Sequence, residues 1–509
     1  MKQIFIFLCM ICSACCSTIA QKPVTDLLNF SGTFKKDFLP KDGEKIKAGT
    51  PGTLQLIIKL KKYERDEEAY QAVILINGIQ NYMPLSKLQN YFQVEAMDKD
   101  KFWHFIQIDK IKDNKRKDEF ANLRWEQIKE AEKYLEELKH TNLFYNDAAV
   151  EDYLQCLLLS IMPNKLINRE ELPKPVVKLL KAASPDIMLL GNNVLLISTG
   201  MLAMLDSEDE ITALLAREVA HQIFDHSLIT MQKNIVRANR TTFWEAVADG
   251  IVEATENSLY ERYDYYEPGV LFATNDIIQS LVNQNIYNRM GLDYTKEQEM
   301  EADAIAVTFI EQTGRKKDAL ASALHKINDF YLREGDTDAL HKHGPYGTLE
   351  IRLKKLEKPQ TIFNDRNFLK KMMSIVSFEA AMQDYNKHYQ NARFLAMKNI
   401  NNGLACSDDY LMVARSLMKQ SNTSESNAEC LFYLDKADLV SENSNPNTTK
   451  MRILLKLRDN KQVEAVDLLL KYKRQLDSMF QQPHTEENSE WITEEFNWAD
   501  NLLERIYTL

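Results

Sequence analysis

A helix-start signal at Ser207 is followed by a long apolar pattern of helical period. Ser207 is a favourable N-cap residue, and Glu210 stands three positions later, as in a capping box. The apolar residues that follow are three or four positions apart, which places them on one helical face: Ile211, Leu214, Leu215, Val219 and Ile223. Because that face must be covered, the pattern predicts a buried amphipathic helix.

The same helix carries the sequence Arg217-Glu218-Val219-Ala220-His221. In a His-Glu-x-x-His motif, two imidazoles at i and i+4 bind one zinc ion, and the glutamate acts as general base on metal-bound water. Glu218 and His221 fit that motif, but Arg217 occupies the position of the first histidine. A guanidinium stays protonated and has no lone pair for a metal. Taken alone, Arg-Glu-x-x-His is a weak pattern that also fits a salt-bridging turn.

Two further segments strengthen the motif. Downstream, the acidic run Glu297-Gln-Glu-Met-Glu301-Ala-Asp303 opens another predicted helix, and zinc sites of this class take a third ligand from a glutamate on a second helix. Upstream, residues 187–198 form an extended apolar stretch that ends in a turn before the capped helix.

The strand, the capped helix and the Glu-x-Glu-Ala-Asp segment together resemble a zinc metallopeptidase family. This family includes the CAAX prenyl proteases, the HtpX-like heat-shock proteases and the BepA-like envelope proteases. The resemblance covers residues 145–358. It implies a mainly helical, zincin-like peptidase domain that acts on proteins or peptides. It also implies that the strand Leu189–Ser198 is the sheet edge that pairs with an extended substrate.

The resemblance assigns a role to each matching residue. Glu218 matches the general base, and His221 matches the second zinc histidine. Glu301 matches the glutamate ligand of the family's Glu-x-Glu-Ala-Asp motif, so His221 and Glu301 would hold the metal, with Arg217 at the first ligand position. Asp303 matches an aspartate that is expected to orient a ligand histidine.

Three more residues match later parts of the family pattern as supporting or cleft residues. His226 belongs to a His-Ser pair that closes the motif helix. On a continuous helix it lies about 140° from His221, so we expect it to point away from the same metal. His343 and Arg352 match a His-Pro…Glu-x-Arg stretch, with extra residues inserted here. His341 and His343, in a loop, are also candidates to replace the missing ligand, although nothing in their spacing requires it.

The arginine leads to two hypotheses. In the first, Arg217 pairs with Glu218 or Glu301, no cofactor is bound, and the domain binds protein clients without cutting them. A guanidinium about 4 Å from Zn²⁺ repels it by roughly 8 kcal/mol at an effective dielectric near 20. In the second, the chain is an active zinc metalloendopeptidase with Glu218 as general base.

The whole chain predicts an α+β protein with a small β-rich domain first. Residues 21–110 contain short β-rich runs, which we interpret as strands, at Leu54–Leu60, Ala72–Asn77 and Phe102–Ile108. Residues 111–142 have the composition of a helical connector.

The peptidase-like domain, 143–358, is followed by a helical tail at 359–509. Helices in this tail alternate with Asn- and Ser-rich turns, which favours a helical-repeat, tetratricopeptide-like array that binds proteins. An irregular bundle is the alternative. Within the peptidase-like domain, the aromatic-rich region from Met231 to Leu292 is either a lid or a pair of packed helices.

The first 20 residues have the pattern of a secretory signal. Lys2 precedes an apolar run, and Thr18-Ile19-Ala20 is a small-x-small site that predicts cleavage before Gln21, hence a periplasmic or secreted protein. Lipid attachment at Cys15 or Cys16 is the alternative.

Three cysteines remain after such cleavage, too few for a disulfide framework. Cys156 lies in an apolar run and is predicted to be in the core. Cys406 and Cys430 are candidates for one disulfide in an oxidising compartment.

Charge and hydropathy argue against nucleic acid and membranes as partners. The net charge of −11 argues against nucleic acid and anionic lipid. No stretch of the mature chain approaches 18 uninterrupted apolar residues, so no membrane span is predicted.

Overall fold

The computed structural model describes most of the chain after residue 20: residues 21–25, 27–40, 43–60, 69–95, 98–108, 120–170, 172–237, 290–335, 340, 346–442, 445–481 and 486–508. The chain divides into two compact units, Met1–Asp118 and Glu119–Leu509. The predicted signal sequence, His343 and most of the region from Met231 to Leu292 lie outside the described residues.

The first unit is built on an antiparallel sheet. Its strands are β1 (Gln21–Pro23), β2 (Phe30–Phe34), β3 (Pro51–Leu60), β4 (Tyr70–Ile76), β5 (Ile79–Pro84) and β6 (Phe92–Val94). The strand order is β5-β4-β3-β2-β6, and β1 also pairs with β3. β4 and β5 are joined by Asn77-Gly78, both at positive φ, the turn that suits the twist of a two-residue hairpin. The strands predicted at Leu54 and Ala72 are confirmed.

Two helices cover this sheet region, α1 (Leu85–Tyr91) and α2 (Lys99–Gln107). The strand predicted at Phe102–Ile108 is therefore wrong, because α2 occupies most of it. Asp98 caps this helix by accepting the Lys101 N–H, and Phe102, Trp103 and Ile106 are buried on one side of it. A short aromatic run fits a strand and a buried helix face equally well, and the cap decides between them.

The second unit opens with helices α3 (Phe120–His140), α4 (Ala148–Ile161) and α5 (Asn164–Ile167). A small sheet of β7 (Val176–Leu180), β8 (Ile187–Leu189) and β9 (Val194–Ser198) follows, in the order β7-β9-β8.

The sheet order corrects the predicted edge strand Leu189–Ser198. The chain turns between β8 and β9, with Asn193 at a φ of 64°. β9 is consequently the central strand, parallel to β7 and antiparallel to β8, and the short strand β8 lies at the edge.

The helices around the motif segment are α6 (Thr199–Met204), α7 (Glu208–Ile223), α8 (His226–Arg237), α9 (Lys296–Gln312), α10 (Ala319–Glu334) and α11 (Leu349–Lys355). α7 is the predicted capped helix, and the Ser207 hydroxyl accepts the Glu210 N–H at 3.3 Å. It packs against α4, α9, α10 and β8, so its polar residues lie inside the protein.

The remaining helices form the tail: α12 (Arg366–Tyr385), α13 (Tyr389–Asn401), α14 (Ser407–Gln420), α15 (Ser424–Val440), α16 (Pro446–Arg458), α17 (Gln462–Phe480) and α18 (Glu486–Thr508). Each packs against the next. The protein is thus mostly helical with two small sheets, as predicted.

The first tail helices are continuous with the core of the preceding domain. Met382 of α12 lies in one apolar cluster with Met188 of β8 and Leu196 of β9. The Lys398 ammonium of α13 donates to the carbonyl oxygens of Ala203 and Leu205, both at 2.7 Å. The tail therefore begins as part of the second unit's core.

The predicted core position of Cys156 is wrong, since this residue is exposed on α4. Its neighbours Leu154 and Leu158 face inward instead. Cys406 and Cys430 are both free thiols, and Cys430 donates to the Ala414 carbonyl at 3.3 Å. In the part of the chain that the structure describes, no helix is long and apolar enough to cross a membrane.

Candidate functional site

Three helices of the second unit meet at a cluster of buried charges. α7 contributes Arg217 and Glu218, α9 contributes Glu299 and Asp303, and α11 contributes Arg352. These five side chains, which we call the charge cluster, are only 2 to 8% exposed. Charges this deeply buried are tolerated only when they are paired and hydrogen-bonded.

Arg217 holds the two motif helices together. One terminal nitrogen donates to Glu218 Oε1 at 2.5 Å, and the other donates to Glu299 Oε2. Its Nε lies 3.5 Å from Asp303 Oδ1. The guanidinium therefore bridges α7 and α9, which is the link that a zinc ion shared by these helices would make.

Arg352 adds a second cation from α11. Its Nε and one terminal nitrogen bind both carboxylate oxygens of Asp303, at 2.7 and 2.8 Å, and its other terminal nitrogen lies 3.2 Å from Glu299 Oε2. A bidentate guanidinium–carboxylate pair is among the stronger polar contacts in proteins. Glu299 is consequently held by two guanidinium groups.

The pKa shifts in the cluster follow from burial and from these pairs. Burial raises the pKa of Glu218 to about 7, against the opposing effect of Arg217. Burial would also raise the pKa of Glu299, but Arg217 and Arg352 hold it below its usual value. Two arginines thus keep Glu299 ionised at neutral pH, while the Glu218 carboxyl beside it titrates near neutrality.

His221 lies beside the charge cluster in α7 and is buried. Its ring stacks on Tyr294, with centroids 3.8 Å apart and planes inclined by 18°. Its Nε2 has no hydrogen-bond partner and lies 3.9 Å from Glu299 Oε2. Burial, followed by the nearby charge of Arg217, lowers the pKa of His221 well below its usual value, so the imidazole is neutral at pH 7.

The glutamate that reaches this cluster is Glu299, and Glu301 does not. On a helix, residues 299 and 303 are four positions apart and share a face, whereas 301 is about 200° around from 299. Glu301 lies 3.3 Å from His226 Nε2, with about a third of its side chain exposed. The predicted glutamate position is therefore displaced by two residues.

His226 does not point away from His221, contrary to the expectation for a continuous helix. α7 ends at Ile223, and Asp225 takes a left-handed φ of 51° before α8 begins at His226. This break turns the His226 ring back, so that its Nδ1 lies 3.0 Å from His221 Nδ1. A chain of contacts runs from His221 through His226 to Glu301.

The other predicted residues are placed as follows. Asp303 and Arg352 both belong to the charge cluster, where Asp303 binds guanidinium groups and not an imidazole. His343 lies outside the described residues. Glu299 is not among the residues predicted from the sequence, although its spacing of four from Asp303 is a usable signal. Tyr294 and Tyr346 were not predicted either, because the sequence offers no pattern for them.

A small cavity of about 40 Å³ lies beside the charge cluster. Its apolar wall comes from β8, α6, α7, α10 and the segment before α9: Ile187, Met188, Met201, Leu214, Leu292, Leu324 and Ile327. Its polar side is formed by Tyr294, Tyr346 and members of the cluster. This volume holds one or two water molecules and no peptide side chain.

The residues present do not fit a catalytic zinc site. Such sites use three protein ligands, and here only His221 Nε2 and the Glu299 carboxylate face one point. The third side chain is the cation Arg217, and Glu299 is already engaged by two guanidinium groups. Among the described residues, no group of three or more His, Cys, Asp or Glu side chains is arranged to hold a metal ion.

Comparison with known proteins identifies the domain. Residues 150–360 match the profile of Peptidase family M48, a family that is generally zinc-dependent. No curated protein matches the chain. The matched segment begins in α4 and ends after α11, and it contains the small sheet and the charge cluster. The chain therefore carries a peptidase domain of family M48, the type predicted from its resemblance to HtpX-like, CAAX prenyl and BepA-like proteases.

Proposed function

We propose that this M48 domain has lost zinc-dependent hydrolysis and binds proteins without cutting them. The observation that supports the proposal is the Arg217 guanidinium, which bridges Glu218 and Glu299 from within the motif helix. It supplies a fixed positive charge and a fixed link between α7 and α9. In an active member of the family, the zinc ion provides both this positive charge and this link between the helices.

The energetics favour the arginine over the metal. A structural zinc site is worth roughly 10–16 kcal/mol over four ligands, so one missing ligand costs about 3 kcal/mol. Repulsion from a guanidinium about 4 Å away adds roughly 8 kcal/mol at an effective dielectric near 20. Zinc would also have to take Glu299 from both Arg217 and Arg352. Together these costs exceed the binding free energy that zinc would gain from the two remaining ligands, His221 and Glu299.

An active zinc metalloendopeptidase is the second candidate, and two observations favour it. His221 Nε2 is buried without a partner and faces Glu299, and the pKa of Glu218 of about 7 is suitable for a general base. This candidate requires Arg217 to withdraw from Glu218 and Glu299 and an additional ligand to replace it.

Cleavage of an unfolded protein distinguishes the two candidates. Fluorescently labelled casein is incubated with the wild-type protein in micromolar zinc, with and without a chelator, beside the Glu218→Gln variant. We expect no cleavage that depends on zinc or on Glu218. Cleavage by the wild type that is abolished both by the chelator and by Glu218→Gln would establish the peptidase.

The tail suggests a surface for protein binding, and the first residues of the chain suggest the compartment in which the protein works. We propose that the tail helices 366–508 add a protein-binding surface and that the protein works in the periplasm or outside the cell. Residues 1–20 supply the reason for this location, because their pattern is that of a cleaved signal. Sequencing the N-terminus of protein recovered from the secreted or periplasmic fraction tests this, with Gln21 expected as the first residue. An intact Met1 would contradict it.

A further inference from the structure

β8 lies at one edge of the small sheet, and on one of its sides the described part of the chain has no neighbouring strand. On its other side, the even-numbered residues that flank it bond to β9: Ser198 N–H donates to Asp186 O, and Leu190 N–H donates to Val194 O, each at 2.9 Å. Backbone groups alternate sides along a strand. The groups of Pro185, Ile187 and Leu189 therefore point to the side where a further strand would pair.

Two side chains already occupy this side. The Tyr346 hydroxyl donates to the carbonyl of Pro185, and the Glu218 carboxylate faces the backbone N–H of Leu189. A paired strand would use this carbonyl as an acceptor and this N–H as a donor. Tyr346 and Glu218 thus occupy the two ends of the edge with the protein's own side chains, which disfavours pairing with another strand.

The space in front of the edge is also filled. Tyr294 stacks on His221, and Leu292 packs with Met188 in the apolar cluster of the sheet. The cavity left between these groups is about 40 Å³. An extended chain can lie along β8 only if the aromatic side chains move.

We propose that Tyr346 and Glu218 form an internal cap on β8, and that release of Tyr346 admits an extended peptide segment to this edge. This inference rests on the proposed function, in which the domain binds protein segments. The segment pairs by donating an N–H to Pro185 O and by bonding to the outward backbone groups of Ile187, while Glu218 stays beside the Leu189 N–H. It presents an apolar side chain to the wall formed by Leu214, Leu324 and Ile327.

The cap accounts for the arrangement of the cluster. Arg217 holds Glu218 at 2.5 Å and so keeps its carboxylate near Leu189 N–H. Tyr346, in contrast, is only partly buried, and its ring is 5.6 Å from Tyr331. Tyr346 is therefore the movable half of the cap and Glu218 the fixed half.

Peptide binding tests the cap. The probe is a fluorescein-labelled decapeptide of alternating valine and threonine with a terminal lysine, measured by anisotropy against the full chain. Tyr346→Phe keeps the ring and removes the hydroxyl, so we expect about fivefold tighter binding, the effect of one net hydrogen bond. Tyr433→Phe is the matched control, because its hydroxyl contacts Met397 in the tail, and we expect no change.

A second variant, Tyr294→Ala, opens the front of the edge without touching the cap, and we expect it also to tighten binding. Circular dichroism confirms that each variant is folded. Binding that is equal in wild type, Tyr346→Phe and Tyr294→Ala, or that is absent from all three, overturns the cap. Equal binding without cleavage would leave the proposed function standing. Cleavage of the peptide in a Glu218-dependent manner would instead refute the proposed function.

Discussion

Arg217 determines the chemistry of the cluster at the scale of a single residue. It contacts Glu218, Glu299 and Asp303, so its removal leaves buried carboxylates with too little positive charge. Breaking a buried ion pair from one side is far more costly than the pair is worth, because the surviving charge stays desolvated. The arginine is therefore required by the carboxylates around it.

Replacement of Arg217 by methionine keeps the length of the side chain and removes its charge. We predict that Arg217→Met lowers the free energy of unfolding by roughly 3–5 kcal/mol, measured by urea denaturation. Adding Glu299→Gln to this variant should recover part of the loss. Arg393→Met is the control, because Arg393 makes an exposed pair with Glu429 and should change stability by less than about 0.5 kcal/mol. An unaffected Arg217→Met protein would contradict the structural role.

Glu379 of α12 is a buried carboxyl whose hydrogen-bond donors, Thr199 and Gln383, are neutral. The Thr199 hydroxyl and the Gln383 amide donate to it, at 2.9 and 3.3 Å, and burial raises its pKa to about 8. The folded state therefore keeps a proton that the unfolded chain releases near pH 4.5. Its stabilising contribution is full below pH 4.5 and is lost as pH rises through 8.

The isosteric change Glu379→Gln should remove this pH dependence. We predict that the variant is more stable than wild type at pH 8.5, on the order of a few kcal/mol, and that the difference shrinks steadily towards pH 5. Thermal unfolding across this range measures it. Glu350→Gln, at an exposed position on α11, should show no such trend. A constant difference at all pH values would show that Glu379 does not titrate.

The residues of the site were predictable where they follow a local pattern within one helix. Arg217, Glu218 and His221 follow from a helical repeat of four, and the structure brings them beside the second motif helix as the pattern suggests. The choice between Glu299 and Glu301 required the rotation of α9 relative to α7. That rotation is set by packing between the helices, so the Glu-x-Glu motif alone does not predict which glutamate faces α7.

At the scale of elements, caps and turns explain both the successes and the errors. The Ser207 cap fixes the start of α7, as the sequence predicts. The break at Asp225, which turns His226 towards His221, could not be predicted, because an aspartate with positive φ is unusual and its sequence context is ordinary. The turn between β8 and β9 was missed for a similar reason, since Asn193 lies within an apolar stretch.

The cap on α7 can be tested directly. Ser207→Ala removes the acceptor for the Glu210 N–H, so we predict a loss of about 1 kcal/mol in the free energy of unfolding. Ser207→Thr keeps the hydroxyl and should recover most of it. Both values come from urea denaturation. Equal stability of the alanine and threonine variants would mean that the cap contributes nothing.

At the scale of the molecule, the tail is divided into a part that completes the M48 domain and a part that has its own core. Met382 and Lys398 bind α12 and α13 to the sheet and to α6. The last helices share a separate apolar cluster that includes Leu469, Tyr472 and Trp491. A sequence pattern reveals that helices are present, but not which core they join.

Two truncations test this division. A chain that ends at residue 360 loses α12 and α13 and should fail to fold cooperatively in thermal unfolding followed by circular dichroism. A chain that ends at residue 445 loses only α16–α18 and should retain a cooperative transition. Normal folding of the shorter chain would show that the M48 domain is independent of the tail.

The central claim is that Arg217 stands in place of zinc, and bound metal tests it most directly. The wild-type protein and Arg217→His are dialysed against micromolar zinc, desalted and measured by inductively coupled plasma mass spectrometry, with Arg393→His as a control for an added surface histidine. We predict less than 0.1 zinc per chain, as an order of magnitude, in wild type and control, and about one in Arg217→His, which restores a third ligand. Stoichiometric zinc in the wild type would contradict the account.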